Sequence, residues 1–353
     1  MALVSRSLVR FVVHSHGARL DGSVPSLEVT TARSRRLRRT VRSPPERVAV
    51  AWPVRLRHLG YVGQNLSLGL TTGRTLRLAN VATEARLVEV IRANLANLEA
   101  ILKWNVAHDI RFFRVASSFI PFASHPDFQL DWPERFAGQL ERIAAYAAEH
   151  GLRLSMHPGQ YTVLNAVRAQ VVENALAELE YHAQVLDAVA GEAGTITLHI
   201  GGGYGDRDAA KERAVHAARR LSERAFARLT LEHDDTIFDL DDTLEVADAL
   251  GVPVVFDMHH HRCLHRRDSW RDHLPALLER AMASWGDRVP KAHVSSARAP
   301  GSRAHADYID DADLDLALAI LAEVGGDQPI DVMLEAKAKE AAVLRQQARL
   351  ASH

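Results

Sequence analysis

The chain has 353 residues, 47% of them apolar and 25% charged, which suits a soluble globular protein with a sizeable core. No apolar run approaches the ~18 residues needed to cross a bilayer, which counts against a membrane protein. Cys263 is the single cysteine and cannot form an intrachain disulfide, so a reducing, cytoplasmic setting is expected.

The net charge of −1 hides an asymmetry. Residues 1–57 hold 12 Arg and three acids, a net of +9, which leaves about −10 for the rest. An anionic substrate must then be held by a local basic patch or by bound cations, not by a generally basic surface. Residues 1–57 are expected to be a basic, poorly ordered extension; a targeting peptide or a DNA-contacting arm is the alternative. Ser43-Pro44-Pro45 reads as a linker.

A regular alternation runs through residues 58–353, the expected folded domain. Eight short apolar stretches have strand character: His58–Gly63, Arg111–Ala116, Arg153–His157, Thr195–Ile200, Leu229–His233, Val252–Met258, Lys291–Ser295 and Ile330–Glu335. Longer segments such as Ala85–Trp104 and Val171–Val189 lie between them, with apolar residues at helical spacing. Gly151 and Gly251 stand where helices should stop, and Asp242 and Asp311 are candidate N-caps. Eight strand–helix units predict an α/β fold, a (β/α)8 TIM barrel. An open doubly wound sheet could alternate in the same way, but no phosphate-binding glycine loop of the dinucleotide or P-loop pattern is present.

In a barrel, functional residues sit at the carboxyl ends of the strands. A lone His there is more often a hydrogen-bonded structural residue than a ligand. Here six consecutive strands, the third to the eighth, end in or beside His, Asp or Glu. So many ionisable groups at one mouth raise desolvation and repulsion costs that divalent cations would offset. Imidazole and carboxylate together are a ligand set for Zn2+, Mn2+ or Fe2+. The candidate ligands are His125, His157, His199, Glu232, Asp257, His260, His293, His305 and Glu335, enough for two or three ions with bridging carboxylates. Such a centre could polarise a phosphodiester, activate water and stabilise a leaving oxygen. If the chain stays extended through His259-His260-His261, adjacent side chains point to opposite faces and the three cannot share one site; pattern alone does not choose among them. His125, taken alone, reads as a plain loop histidine.

The ordered segments Leu59-Gly60-Tyr61…Asn65, Phe113-Arg114…Ile120-Pro121-Phe122-Ala123-Ser124-His125-Pro126, Ser155-Met156-His157-Pro158-Gly159-Gln160-Tyr161 and Leu198-His199-Ile200-Gly201-Gly202 resemble those of the ultraviolet-damage endonucleases. So do Leu231-Glu232-His233-Asp234-Asp235, Asp257-Met258-His259-His260, Ser302-Arg303-Ala304-His305-Ala306-Asp307-Tyr308 and Leu334-Glu335-Ala336-Lys337-Ala338-Lys339-Glu340. The resemblance spans about residues 58–340. It implies a monomeric barrel enzyme with two or three divalent ions, Mn2+ foremost and Zn2+, Mg2+ or Co2+ as alternatives. Such enzymes nick lesion-containing double-stranded DNA on the 5′ side of pyrimidine dimers and some other lesions, leaving a 3′-hydroxyl. In the cell this chain would then work in the cytoplasm, at the nucleoid.

The resemblance selects His260 among the three histidines and matches all nine ligand candidates. It makes Glu232, Glu335 and Lys291 the catalytic candidates; Lys291 falls on a lysine at the lesion pocket that can be carboxylated. Gln160 and Tyr161 fall on a pair that probes the bases opposite the damage, and Tyr61 and Asn65 on further DNA-contacting positions. On its own, Tyr61 could be an ordinary rim aromatic. Gln160-Tyr161 follows Pro158-Gly159 and so should lie on a loop tip. Arg114 is either structural or phosphate-binding. The N-terminal extension has no counterpart in the family. Rival readings are an abasic-site endonuclease, a metal-dependent sugar isomerase on the same barrel and a non-catalytic damage-binding module.

Overall fold

The computed structural model describes residues 56–81, 83–326 and 328–352. The expected basic extension therefore lies outside the described residues except at its end, where Leu56 and Arg57 already belong to a strand. The strands are β1 (Leu56–Val62), β2 (Gln64–Asn65), β3 (Leu70–Thr71), β4 (Phe112–Val115) and β5 (Arg153–Met156), followed by β6 (Thr195–His199), β7 (Leu229–Glu232), β8 (Val254–Asp257), β9 (Lys291–Val294) and β10 (Ile330–Leu334). Eight of them close into a parallel barrel in the order β1-β10-β9-β8-β7-β6-β5-β4, while β2 and β3 form a separate antiparallel hairpin. The closed barrel decides against the open sheet, and all eight expected strands are found.

The sequence dictates this architecture through burial. Strands β4 to β10 are buried along almost their whole length, because one face meets the barrel interior and the other the helical ring. The helix Glu84–Ala107 packs inward with Leu87, Ile91, Leu95, Leu98 and Leu102, a stripe at spacings of three and four. Gly251 ends the helix Leu240–Leu250 in the left-handed conformation (φ 70°) that a side chain with a Cβ resists. The N-caps fall earlier than expected. Asp239, not Asp242, caps Leu240–Leu250 by accepting from the Asp242 amide, and Asp310, not Asp311, caps Asp311–Gly325. Acidic residues at neighbouring positions made the two capping sites ambiguous, since all of them favour the first turn.

The barrel has two chemically different ends. At the amino ends of the strands, the fully buried Asp331 accepts from Arg57 and Arg153. Arg153 itself lies over the rings of Phe112 and Trp285, each 5.4 Å away. This is a structural ion network within the base of the barrel. The carboxyl ends carry the histidines and carboxylates.

Candidate metal centre

Glu232, the last residue of β7, is the hub of the carboxyl end. Its Oε1 lies 2.7 Å from His293 Nδ1 and 3.6 Å from His260 Nδ1. Its Oε2 lies 3.0 Å from His157 Nε2 and 3.8 Å from His199 Nε2. Three groups able to hold a metal ion share this carboxylate: His157–His199–Glu232, Glu232–His293–Glu335 and Glu232–Asp257–His260, each with ligand atoms within 4.8 Å of one another. Strands β5 to β10 supply these residues or the turns that carry them, so the barrel's parallel register brings them to one level.

The hydrogen bonds around the ring nitrogens fit ligation. His157 Nδ1 donates to the Pro158 carbonyl at 3.1 Å, His199 Nδ1 to that of Glu232 at 3.1 Å, and His260 Nδ1 to that of His233 at 3.0 Å. Each bond would tie Nδ1 to the backbone and turn Nε2 toward a bound ion, the arrangement that orients a metal-binding imidazole. The buried Asp257 Oδ2 has no hydrogen-bond partner among the described residues, while Asp257 Oδ1 accepts from the His260 amide. A buried carboxylate oxygen left unpaired is costly, and a cation would satisfy it. The donor set, the tied Nδ1 atoms and this orphaned oxygen all fit divalent ions.

The electrostatics agree. Burial pushes the Glu232 carboxyl up, but the His293 and His199 charges and the hydrogen bonds from His157 and His293 outweigh it and hold it well below the carboxylate range. Burial likewise pushes Glu335 up, against a stronger downward pull from Arg114 and His293. His157 is lowered to about 4, chiefly by burial, so its ring is neutral and free to ligate at pH 7. His260 is raised to about 9: burial lowers it, and Asp257, Glu232 and Glu335 together more than reverse that.

Not every expected ligand joins the cluster. His305 stands at its edge, Nδ1 3.7 Å from Glu335 Oε2, with its ring 6.4 Å from that of His260. His125 is half-exposed on its loop, where Nδ1 accepts from the Asp127 amide at 3.2 Å, and it belongs to none of the three groups. Its loop is itself tied down: Tyr181 accepts from the Ile120 amide and donates to the Ser117 carbonyl. The histidine run is separated by a helical turn, Met258–Cys263, so the condition of an extended chain does not hold. At about 100° per residue the three rings diverge. His259 bonds to the Arg303 carbonyl and His261 to that of Trp270, so the triad is left to His260.

Lys291 is buried in the barrel interior, one inward-facing position before His293 on β9, and donates to Thr195 Oγ1 at 3.0 Å and Thr197 Oγ1 at 2.5 Å. Burial pushes its amine well below the usual lysine range, helped by Arg153 and Arg114. Arg114, which the sequence left undecided, is inside the cluster: NH1 lies 2.7 Å from Glu335 Oε1 and NH2 2.9 Å from His293 Nε2. A charged residue in the otherwise apolar Phe112–Val115 was the signal for it.

Gln160 and Tyr161 lie on the loop after β5. Both are exposed, Tyr161 to 85%, and they border a cleft of about 850 Å3 together with His157, His199, His260, Tyr204 and Asp235. Tyr61 and Asn65 do not face this cleft. Both are fully buried, and the Tyr61 hydroxyl donates to Asn105 Oδ1 at 2.6 Å and accepts from Asn65 Nδ2 at 2.9 Å. With no exposed atom and with internal partners for these polar groups, they cannot serve as direct DNA contacts in this arrangement.

A parallel eight-stranded barrel whose carboxyl mouth gathers His and carboxylate groups able to hold metal ions defines the class of protein. Within that class, the model of the family "UV-endonuclease UvdE" matches residues 57–353. The chain belongs to this family. It is 34% identical over 273 residues to a UV DNA damage endonuclease of Bacillus cereus strain Q1, covering 76% of this chain and 84% of that protein. The corresponding protein of Bacillus thuringiensis subsp. konkukian is 33% identical over the same shares. Among solved structures, SacUVDE superposes with a TM-score of 0.76 at 35% identity, over 84% of this chain and 98% of that one. Endonuclease IV from Thermus thermophilus matches at TM-score 0.53 and 15% identity, over 84% of this chain and all of the other, a likeness of fold alone.

Proposed function

We propose that the chain is a metal-dependent endonuclease that nicks double-stranded DNA 5′ to pyrimidine dimers and other helix-distorting lesions, leaving a 3′-hydroxyl. The observation that carries the reading is the Glu232 carboxylate shared by three potential metal groups at the barrel mouth. Family membership and relatives bearing the name UV DNA damage endonuclease support the substrate.

Two or three divalent ions, Mn2+ foremost, would be held by His157, His199, Glu232, Asp257, His260, His293 and Glu335, with His305 and His125 closing in from the rim. When bound, such ions supply Lewis acidity toward a phosphodiester and activation of water near neutral pH. The chain's own residues do the rest. Glu232 and Glu335 place negative charge between the imidazoles, Arg114 balances it at Glu335, and Lys291 lies buried beneath them on the Thr195 and Thr197 hydroxyls. Gln160 can hydrogen-bond to base edges and Tyr161 offers a stacking face on the cleft wall, so the loop suits the gap left when a poorly stacked dimer leaves the helix. No helix among the described residues is long and apolar enough to cross a membrane. We place the protein in the cytoplasm at the nucleoid, acting as a monomer, with the basic extension before Leu56 dispensable for cutting.

The test is a duplex carrying one pyrimidine dimer. The reading expects a single nick 5′ to the dimer, an end that a polymerase extends, loss of cutting with chelator and recovery with Mn2+. Full cutting by thoroughly metal-stripped protein would refute the metal centre, and cutting confined to an abasic duplex would move the substrate.

A further inference from the structure

The hairpin β2–β3 presents its tip in an unusual way. It follows β1 at the carboxyl end of the barrel, the end that carries the metal-binding groups, and it turns through Leu66-Ser67-Leu68-Gly69. All four tip amides are used internally. Leu66 N and Ser67 N donate to the buried Glu340 carboxylate at 3.0 and 2.7 Å, Leu68 N donates to Asn65 Oδ1 at 2.8 Å, and Gly69 N donates to the Leu66 carbonyl at 3.1 Å. Ser67 Oγ adds a further bond to Glu340 at 2.9 Å. Asn65 is in turn fixed through the Tyr61 hydroxyl to Asn105. Gly69 closes the turn at φ 65°, the left-handed region that favours glycine.

Surface turns ordinarily offer polar side chains and backbone to water. This one turns its backbone polarity inward and its apolar side chains outward: Leu66 is 50% exposed and Leu68 38%. Arg74 and Arg77 follow in the chain, both exposed and in no salt bridge among the described residues. A locked pair of exposed leucines matches the chemistry of a nucleic-acid duplex, in which apolar wedges part a base step, and Arg74 and Arg77 farther along the chain suit flanking phosphates. Holding the tip in advance spares the ordering cost at binding.

We propose that Leu66 and Leu68 form an apolar wedge that enters a base step of duplex DNA near the lesion, and that Tyr61, Asn65 and Glu340 are positioning residues for it. This rests on the endonuclease reading and gives Tyr61 and Asn65 an indirect part in DNA binding through the tip they hold. The wedge opens the duplex from the side of β1, while the Gln160-Tyr161 loop works from the side of β5.

The test uses the full-length, metal-loaded protein and a dimer-containing duplex with 2-aminopurine at successive steps beside the lesion. In the wild type, one flanking step should brighten on binding as it unstacks. The double variant Leu66→Ser, Leu68→Ser should lose that signal and bind about tenfold more weakly, with a raised KM, a kcat within about threefold, and unchanged metal content. Asn65→Ala should give the same KM-weighted loss together with faster amide exchange confined to residues 66–69. Unchanged affinity and unstacking in the leucine variant would overturn the wedge, as would a wild-type dimer that the variant breaks, which would assign the leucines to a second copy. Wild-type incision is scored in parallel: its absence would refute the endonuclease reading, whereas the unstacking signal judges the wedge.

Discussion

Replacing Glu232 by Gln isolates the charge of the hub with little change of shape. In the wild type both carboxylate oxygens are committed, Oε1 toward His293 and His260 and Oε2 toward His157 and His199. The amide can accept on one side only, and its NH2 group faces ring nitrogens or cations on the other. The loss is one full negative charge beside any ion the three groups would hold; taken at a charge separation of about 4 Å it can be sized. At an effective dielectric constant near 20 that interaction is worth about 4 kcal/mol per pair of unit charges, or roughly a thousandfold in affinity. Metal content after gel filtration, measured by mass spectrometry, should fall accordingly, and incision should drop by orders of magnitude at sub-millimolar Mn2+. Stability offers an independent reading. An ion at a hundred times its Kd stabilises the fold by about 2.7 kcal/mol, and a thousandfold weaker site gains almost nothing at the same concentration. The wild type should therefore gain thermal stability with Mn2+ and Glu232→Gln should not. The metal-free variant should still fold, because the substitution removes a buried charge without opening a cavity. A variant that keeps its metals and its Mn2+-dependent rise in Tm would refute the hub assignment.

The double change Gln160→Ala, Tyr161→Ala should weaken binding to a dimer-containing duplex by on the order of tenfold or more, since stacking is worth about 1–3 kcal/mol per base; metal content and Tm, measured in parallel, should hold because the loop tip buries little surface. The raised pKa of His260, about 9 against an ordinary 6.5, gives the metal-free fold a contribution that is complete below pH 6.5 and lost as pH rises through 9. Ligation needs that proton removed, so Mn2+ affinity by calorimetric titration should rise with pH between 6.5 and 9, by up to about tenfold per unit from this group; affinity independent of pH over that range would exclude His260 as a ligand. At the barrel base, Asp331→Asn leaves the buried Arg153 without its counter-charge and should cost about 3–5 kcal/mol in urea unfolding. Its metal content should not change, as the substitution is at the opposite end from Glu232.

How much of this was legible in the sequence depends on whether a residue's role is set by its own element or by distant ones. The eight barrel strands were readable because each is a short apolar run between helical segments, and strands buried on both faces leave that mark wherever they occur. The mouth of the barrel was readable for a related reason: parallel strands of similar length end at one level, so His157, His199, Glu232, Asp257, His293 and Glu335 needed only to follow their strands to meet. His260 was not separable from its neighbours by pattern, because its selection depends on a helical turn and on which ring faces the His233 carbonyl. Tyr61 and Asn65 mark the limit most clearly. Their positions resemble DNA-contacting ones, yet an aromatic and an amide near a strand end carry no sign of which way they point. Their direction is fixed by Asn105 on the following helix, and the tip that Asn65 supports is held again by Glu340 from the far end of the chain, 274 residues from Leu66. A role exercised through such partners shows only when the chain closes on itself. By the same logic Arg114 belongs to the cluster as the counter-charge to Glu335: the sequence places a charge in an apolar strand, and only barrel closure brings β9 and the loop after β10 to it. A barrel assembles its site from every strand, so each strand's contribution can be read locally while the links between them cannot.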